Sequence, residues 1–128
     1  MRVLVDTHAM LWWLRADERL SERASAVIAN GDNELLWSVA SSWEVGVKLG
    51  LGKLRIDRPV HRLFAHLLGD QGLRSLPITH EHCARLSSLP HHHRDPFDRM
   101  LVVQAQTESV PILSADPKLS RYDIEILW

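Results

Sequence analysis

The sequence predicts an α/β fold: a mostly parallel sheet of about five strands with helices packed on both of its faces. Three observations carry that prediction. Short apolar runs alternate with helical segments from Arg2 to Trp128, the order that right-handed strand–helix–strand crossovers produce. The strand-like runs RVLV, ELLWSV and VPILS are solidly apolar rather than alternating, as strands buried on both faces are. The chain has 128 residues, 45% hydrophobic and 24% charged, which suits one domain over residues 1–128 with a core of its own.

Each element has a local reason. Arg2–Val5 is a short apolar run that stops at Asp6, and Thr7 is placed to cap a helix carrying Ala9, Met10, Trp13 and Leu14. Ser21 caps a second helix to Ala29, ended by Asn30-Gly31. Glu34–Val39 is the second strand, and Ser41 opens a third helix closed by Gly50 and Gly52. After an irregular stretch over 53–57, Pro59 suits the first turn of a helix whose Val60, Leu63, Phe64, Leu67 and Leu68 share one face. Leu73–Ile78 is a third strand with Pro77 near its end, and Thr79 caps a helix to Leu86. Pro90 and the run His91-His92-His93 form a loop before a buried helix from Pro96 to about Ser109. Val110–Ser114 is a fourth strand, Asp116-Pro117 starts a short helix to Tyr122, and Ile124–Trp128 is a fifth strand. Cys83 falls in a helical pattern and reads as a small core residue.

Composition narrows the function. No run of 18 apolar residues is present, so a membrane-spanning helix is not expected. The apolar N-terminus is cut by Asp6, Thr7 and His8 and lacks a small-residue cleavage site, which argues against a secretory signal. A single cysteine permits no intrachain disulfide and fits the reducing cytoplasm. The net charge of -1 is not that of a protein that holds nucleic acid by bulk charge.

Sites in open α/β sheets lie beyond the carboxyl ends of the strands. Asp6 follows the first strand, Asp116 the fourth, Glu44 lies in the first turn of the helix after the second, and Asp98 in the first turn of the Pro96 helix. Singly, each has a structural explanation. Ser41-Ser42-Trp43-Glu44 has the spacing of a capping box, as does Asp95-Pro96-Phe97-Asp98 with Asp95 as the cap, and Asp116-Pro117 also suits a cap. Together they suggest more. Acids crowded on one rim repel, a divalent cation removes the repulsion, and carboxylates with water are what Mg²⁺ or Mn²⁺ prefers. Such a site suits phosphodiester hydrolysis, because the cation polarises a phosphoryl oxygen and makes water more acidic. The chain has no G-x-S-x-G turn, no P-loop and no dinucleotide fingerprint.

Four segments then carry a family resemblance: MRVLVDTH at 1–8, SVASSWEVGVKLGLGKL at 38–54, HRDPFDRMLVVQA at 93–105 and LSADPKLSRY at 113–122. They resemble, in order along the whole chain, the PIN-domain ribonucleases, and most closely the toxin subunits of VapBC-type toxin–antitoxin pairs. The resemblance implies a three-layer α/β/α fold, Mg²⁺- or Mn²⁺-dependent RNA cleavage, a homodimer and a cognate antitoxin that holds it inactive. The family's acidic positions fall on Asp6, Glu44, Asp98 and Asp116. Asp6, Asp98 and Asp116 are then expected to hold the metal, with Glu44 doing so directly or through water. Ser114 matches a small hydroxyl residue that bonds to a carboxylate or to water at the metal.

Other residues are read more plainly. Three adjacent histidines do not converge easily on one ion, so His91, His92 and His93 read as a solvated loop. His8 reads as a rim or helix-face residue, and Arg99 either pairs with a site acid or phosphate or forms a surface ion pair. Trp12 and Trp13 point about 100° apart on a helix, so one of them is a candidate partner contact. Two rival functions are weighed. A haloacid-dehalogenase-type phosphatase needs a second Asp two residues after the first, where this chain has His8. A catalytically inactive binding module predicts degenerate acids, and all four are intact.

Overall fold

The computed structural model describes residues 1–128. Five strands form one sheet: β1 (Arg2–Val5), β2 (Glu34–Ser38), β3 (Arg74–Leu76), β4 (Ile112–Leu113) and β5 (Ile126–Leu127). Their order is β3-β2-β1-β4-β5 and every pairing is parallel. The helices are α1 (Thr7–Leu14), α2 (Glu22–Ala29), α3 (Val39–Gly50), α4 (Val60–Ala65), α5 (His80–Leu86) and α6 (Pro96–Glu108), with a 3₁₀ turn at Pro117–Arg121.

The period-two geometry of the strands splits the core in two. Val3, Val5, Leu35, Trp37, Leu113 and Leu127 face one layer, built with Ala9 and Met10 of α1, Ile28 of α2 and Leu63 of α4. Leu4, Leu36 and Ile112 face the other, filled by Met100 to Val103 of α6 together with Leu119 and Tyr122. This is the expected three-layer α/β/α arrangement, with all strands parallel. α3 belongs to neither layer alone, since Ala40 packs in one and Val45 in the other, and the helix touches both α1 and α6. The chain leaves β1 toward β2 on one side, and β4 lies on its other side. The β1/β4 boundary is therefore the switch point where open α/β sheets place their sites.

Several local expectations are corrected. β2 ends at Ser38 rather than Val39, because the Ser38 hydroxyl accepts from Ala40 N at 3.0 Å and starts α3 there. Ser41 is thus inside the helix and Glu44 lies beyond its first turn, so the Ser41–Glu44 capping box does not form. The cap of α1 is Asp6, not Thr7, whose hydroxyl donates to Ser41 Oγ at 2.8 Å and ties α1 to α3. Strands 3 to 5 are shorter than their apolar runs; Pro111 has no N–H to give a ladder, although its carbonyl accepts from Leu4 N. The Val60–Leu68 helix gives way to a π turn over His66–Asp70. Leu63 and Leu67 stay buried while Val60 and Leu68 are exposed. Cys83 is exposed rather than in the core. No helix is long and apolar enough to cross a membrane.

Candidate metal centre

The carboxyl ends of β1 and β4, the first turn of α6, the cap of the 3₁₀ segment and the second turn of α3 bring the four acids close together. Asp6 is buried immediately after β1. Its Oδ2 accepts from the Ser114 hydroxyl at 2.9 Å, and its Oδ1 has no partner. The Ser114 oxygen accepts in turn from Asp116 N at 3.1 Å, so one buried hydroxyl joins the ends of two strands. Burial raises the Asp6 carboxyl above its ordinary range; the Ser114 hydrogen bond and His8 oppose that rise and the charge of Glu44 adds to it.

Glu44, 1% exposed, comes from the second turn of α3. Lys48, one turn on, reaches back to Glu44 Oε2 at 2.6 Å, and Oε1 is left without a partner. Burial pulls the Lys48 ammonium down, but the hydrogen bond and charge of Glu44, with help from Asp95 and Asp98, hold it above its ordinary value. Asp98 is pushed up to about 8, first by burial and then by the charges of Asp6, Asp95, Glu44 and Asp116. All four sequence-assigned acids are therefore within electrostatic reach of one another. Asp95 is the cap of α6, accepting from Phe97 N at 2.8 Å and Asp98 N at 3.2 Å. Asp116 caps the 3₁₀ turn, its Oδ1 accepting from Lys118 N at 2.9 Å.

Two residues join the cluster that the sequence reading left out. His93 is not a solvated loop residue: its Nε2 lies 3.0 Å from Asp98 Oδ2 and 3.2 Å from Asp116 Oδ2. Lys48 stands four residues after Glu44, a helical spacing that does signal a pair. His93 had only a weak signal, its place two residues before the Asp95 cap. Arg99, by contrast, meets no site acid and no surface partner. It is buried, with its guanidinium donating to the carbonyls of Leu89 and Pro90 and to the Tyr122 hydroxyl. Its role is to hold the histidine loop against α6. His8 is exposed and lies tilted beside Trp12. Trp12 also stacks edge-on with Trp128 under the Arg19 guanidinium, while Trp13 packs on the core and donates to Gln71.

The unpartnered oxygens test whether a cation fits. A buried carboxylate oxygen with no donor is costly, and here two lie in one cluster, on Asp6 and Glu44. The carboxylate oxygens of Asp6, Glu44, Asp98 and Asp116 are the donor set of a hard divalent ion. The residues fit a divalent cation.

Comparison with known proteins agrees with the fold. A family model for the PIN domain matches residues 3–125. No curated protein sequence matches the chain. Among solved structures, a chain of VapBC2 from Rickettsia felis, bound to a promoter DNA fragment, aligns over 100% of both chains with TM-score 0.67 and 11% identity. A chain of FitAcB from Neisseria gonorrhoeae aligns over 97% of this chain and 95% of its own, with TM-score 0.63 and 18% identity. A chain of FitAB bound to an IR36 DNA fragment aligns over 97% and 92%, with TM-score 0.66 and 16% identity. At these identities the likeness is one of fold.

Proposed function

The chain belongs to the PIN-domain family, and from that premise we propose that it is a single-domain, metal-dependent endoribonuclease acting as the toxin of a type II toxin–antitoxin pair. The observation that carries the nuclease reading is the pair of buried oxygens, Asp6 Oδ1 and Glu44 Oε1, that no donor of the protein reaches. Asp6, Glu44, Asp98 and Asp116 are the residues that would hold Mg²⁺ or Mn²⁺, Glu44 directly or through water. When bound, the ion supplies charge stabilisation at the phosphoryl oxygens and a more acidic water.

The protein's own groups prepare that chemistry. Ser114 fixes Asp6 through Oδ2 and leaves Oδ1 open. Lys48 does the same for Glu44 through Oε2. Asp98, raised to about 8, keeps a proton on its carboxyl near neutral pH in the metal-free protein. That proton limits repulsion among the acids and must leave when a cation binds.

The toxin reading rests on the VapBC-type sequence resemblance and on the VapBC2 and FitAB assemblies among the structural neighbours. A homodimer and an antitoxin give uses for apolar groups left exposed, Trp43, Leu51, Val60 and Leu68. On this reading the protein works in the cytoplasm, where Cys83 stays reduced. The test is end-labelled RNA incubated with the purified chain and Mg²⁺ or Mn²⁺. Internal cleavage that EDTA stops supports the reading. Turnover of a small phosphomonoester with intact RNA would overturn it in favour of a phosphatase.

A further inference from the structure

We infer that His93 is a positioning residue of the acidic site: an imidazole locked as the Nε2–H tautomer, which directs its N–H at Asp98 and Asp116 and is not itself a ligand of the cation. The inference rests on the cation site proposed above and assigns the division of labour within it.

The lock is a backbone amide. The N–H of Asp95 points at His93 Nδ1 at 3.1 Å. An amide N–H only donates, so Nδ1 presents its lone pair and the ring proton sits on Nε2. That Nε2–H lies between two carboxylates, 3.0 Å from Asp98 Oδ2 and 3.2 Å from Asp116 Oδ2. The ring has little freedom to leave, since its side chain is only 11% exposed. The segment around it is held at both ends. Arg99 binds the carbonyls of Leu89 and Pro90 before it, and the Asp95 side chain caps α6 after it.

His93, Asp98 and Asp116 offer ligand atoms that all lie within 4.8 Å of one another, a spacing that also suits three ligands on one ion. The Asp95 amide decides against that arrangement. To ligate through Nε2 the ring would carry its proton on Nδ1, where it would face the Asp95 N–H directly. Two donors would then oppose each other in a nearly dry loop, with one buried donor unsatisfied. The geometry instead gives His93 the work that second-sphere histidines and carboxylates do elsewhere, fixing the direction of first-sphere oxygens. It joins α6 to the 3₁₀ turn through one ring, as Ser114 joins β1 to β4 through one hydroxyl.

The test uses the full-length chain, with Mg²⁺ and Mn²⁺ as the probes. Long-range ¹H–¹⁵N spectra at neutral pH report which ring nitrogen carries the proton. The expected result is Nε2–H with a bare Nδ1, both metal-free and in saturating Mg²⁺. Calorimetry with Mn²⁺ supplies a second readout. His93→Ala is expected to weaken affinity by ~10–100-fold, while His93→Gln, whose amide N–H reaches the same place, recovers most of it. Melting curves confirm that both variants fold; should His93→Ala not fold, His93→Gln and the spectra still decide. Loss of the Nε2 proton on adding Mg²⁺, or a nitrogen coupling to bound Mn²⁺ that His93→Gln removes, would overturn the inference by making His93 a ligand. Wild-type affinity in both variants would overturn it by making the contact idle. A wild-type chain that binds neither ion defeats the cation-site reading and this inference with it, whereas binding with unaffected variants defeats this inference alone.

Discussion

The raised carboxyl of Asp98 makes the metal-free protein lose stability as pH rises. An ordinary Asp titrates at 3.8, and Asp98 is pushed up to about 8, first by burial and then by its acidic neighbours. Between those values the folded chain keeps a proton that the unfolded chain has released. The unfolded state thus binds fewer protons, and the slope of stability against pH is negative. Asp98 costs nothing below pH 4, and its penalty grows until the pH passes about 8. One proton corresponds to ~1.4 kcal/mol per pH unit at full strength. Relaxation and water entry reduce that over so wide a window, so the expected loss is on the order of 2–4 kcal/mol. Asp98→Asn cannot ionise, so it should flatten the profile and be more stable than wild type at pH 8 in EDTA. Urea unfolding in EDTA from pH 5 to pH 9 reads this directly. Adding Mn²⁺ to wild type should oppose the loss, because the ion favours the ionised carboxylates. A wild-type profile that is flat in EDTA, or a slope that persists unchanged in Asp98→Asn, would refute the reasoning.

Three further outcomes follow from named contacts. Ser114→Ala removes the donor to Asp6 Oδ2 and leaves both buried oxygens unpaired; the expected cost is ~1–3 kcal/mol in melting or urea curves, with weaker Mn²⁺ binding by calorimetry. Lys48→Met strips Glu44 of its only partner; because Lys48 is partly exposed, the loss should sit near or below the low end of the ~3–5 kcal/mol for a broken buried pair, and saturating Mn²⁺ should restore part of it. Asp95→Ala should cost ~0.5–2 kcal/mol as a lost cap of α6 and, by loosening one end of the His93 loop, reduce cleavage without abolishing it, whereas Asp98→Ala should abolish cleavage, as paired activity and melting assays would show.

The sheet and its order of elements were legible because strands buried on both faces read as solid apolar runs, and RVLV and ELLWSV are such runs. Strand ends were less legible. Ser38, Thr7 and Ser41 are all good caps by composition, and only tertiary packing decides that Ser38 caps α3 while the other two hydroxyls bond to each other. Asp6, Asp98 and Asp116 were legible together because each follows a strand or opens a helix, whereas Glu44 stands one turn deeper in α3 than the Ser41–Glu44 spacing suggests. Their partners were harder to see. Lys48 had a helical spacing to Glu44, but a lysine four residues after a glutamate more often marks a solvated helix face. His93 reaches its carboxylates only because Arg99 and Asp95 fix the loop on either side, a long-range and a local constraint that no spacing encodes. Cys83 was misplaced because α5 turns that face outward, with His82 buried instead and closing the Thr79 capping box.

The most direct test of the account is a paired titration of Mn²⁺ into wild type and Asp6→Asn, following binding by calorimetry and cleavage of a labelled RNA in the same buffer. Wild-type cleavage is expected to rise along its binding curve, and Asp6→Asn, still folded, to lose both binding and cleavage. RNA cleavage by folded Asp6→Asn at the wild-type rate would contradict it.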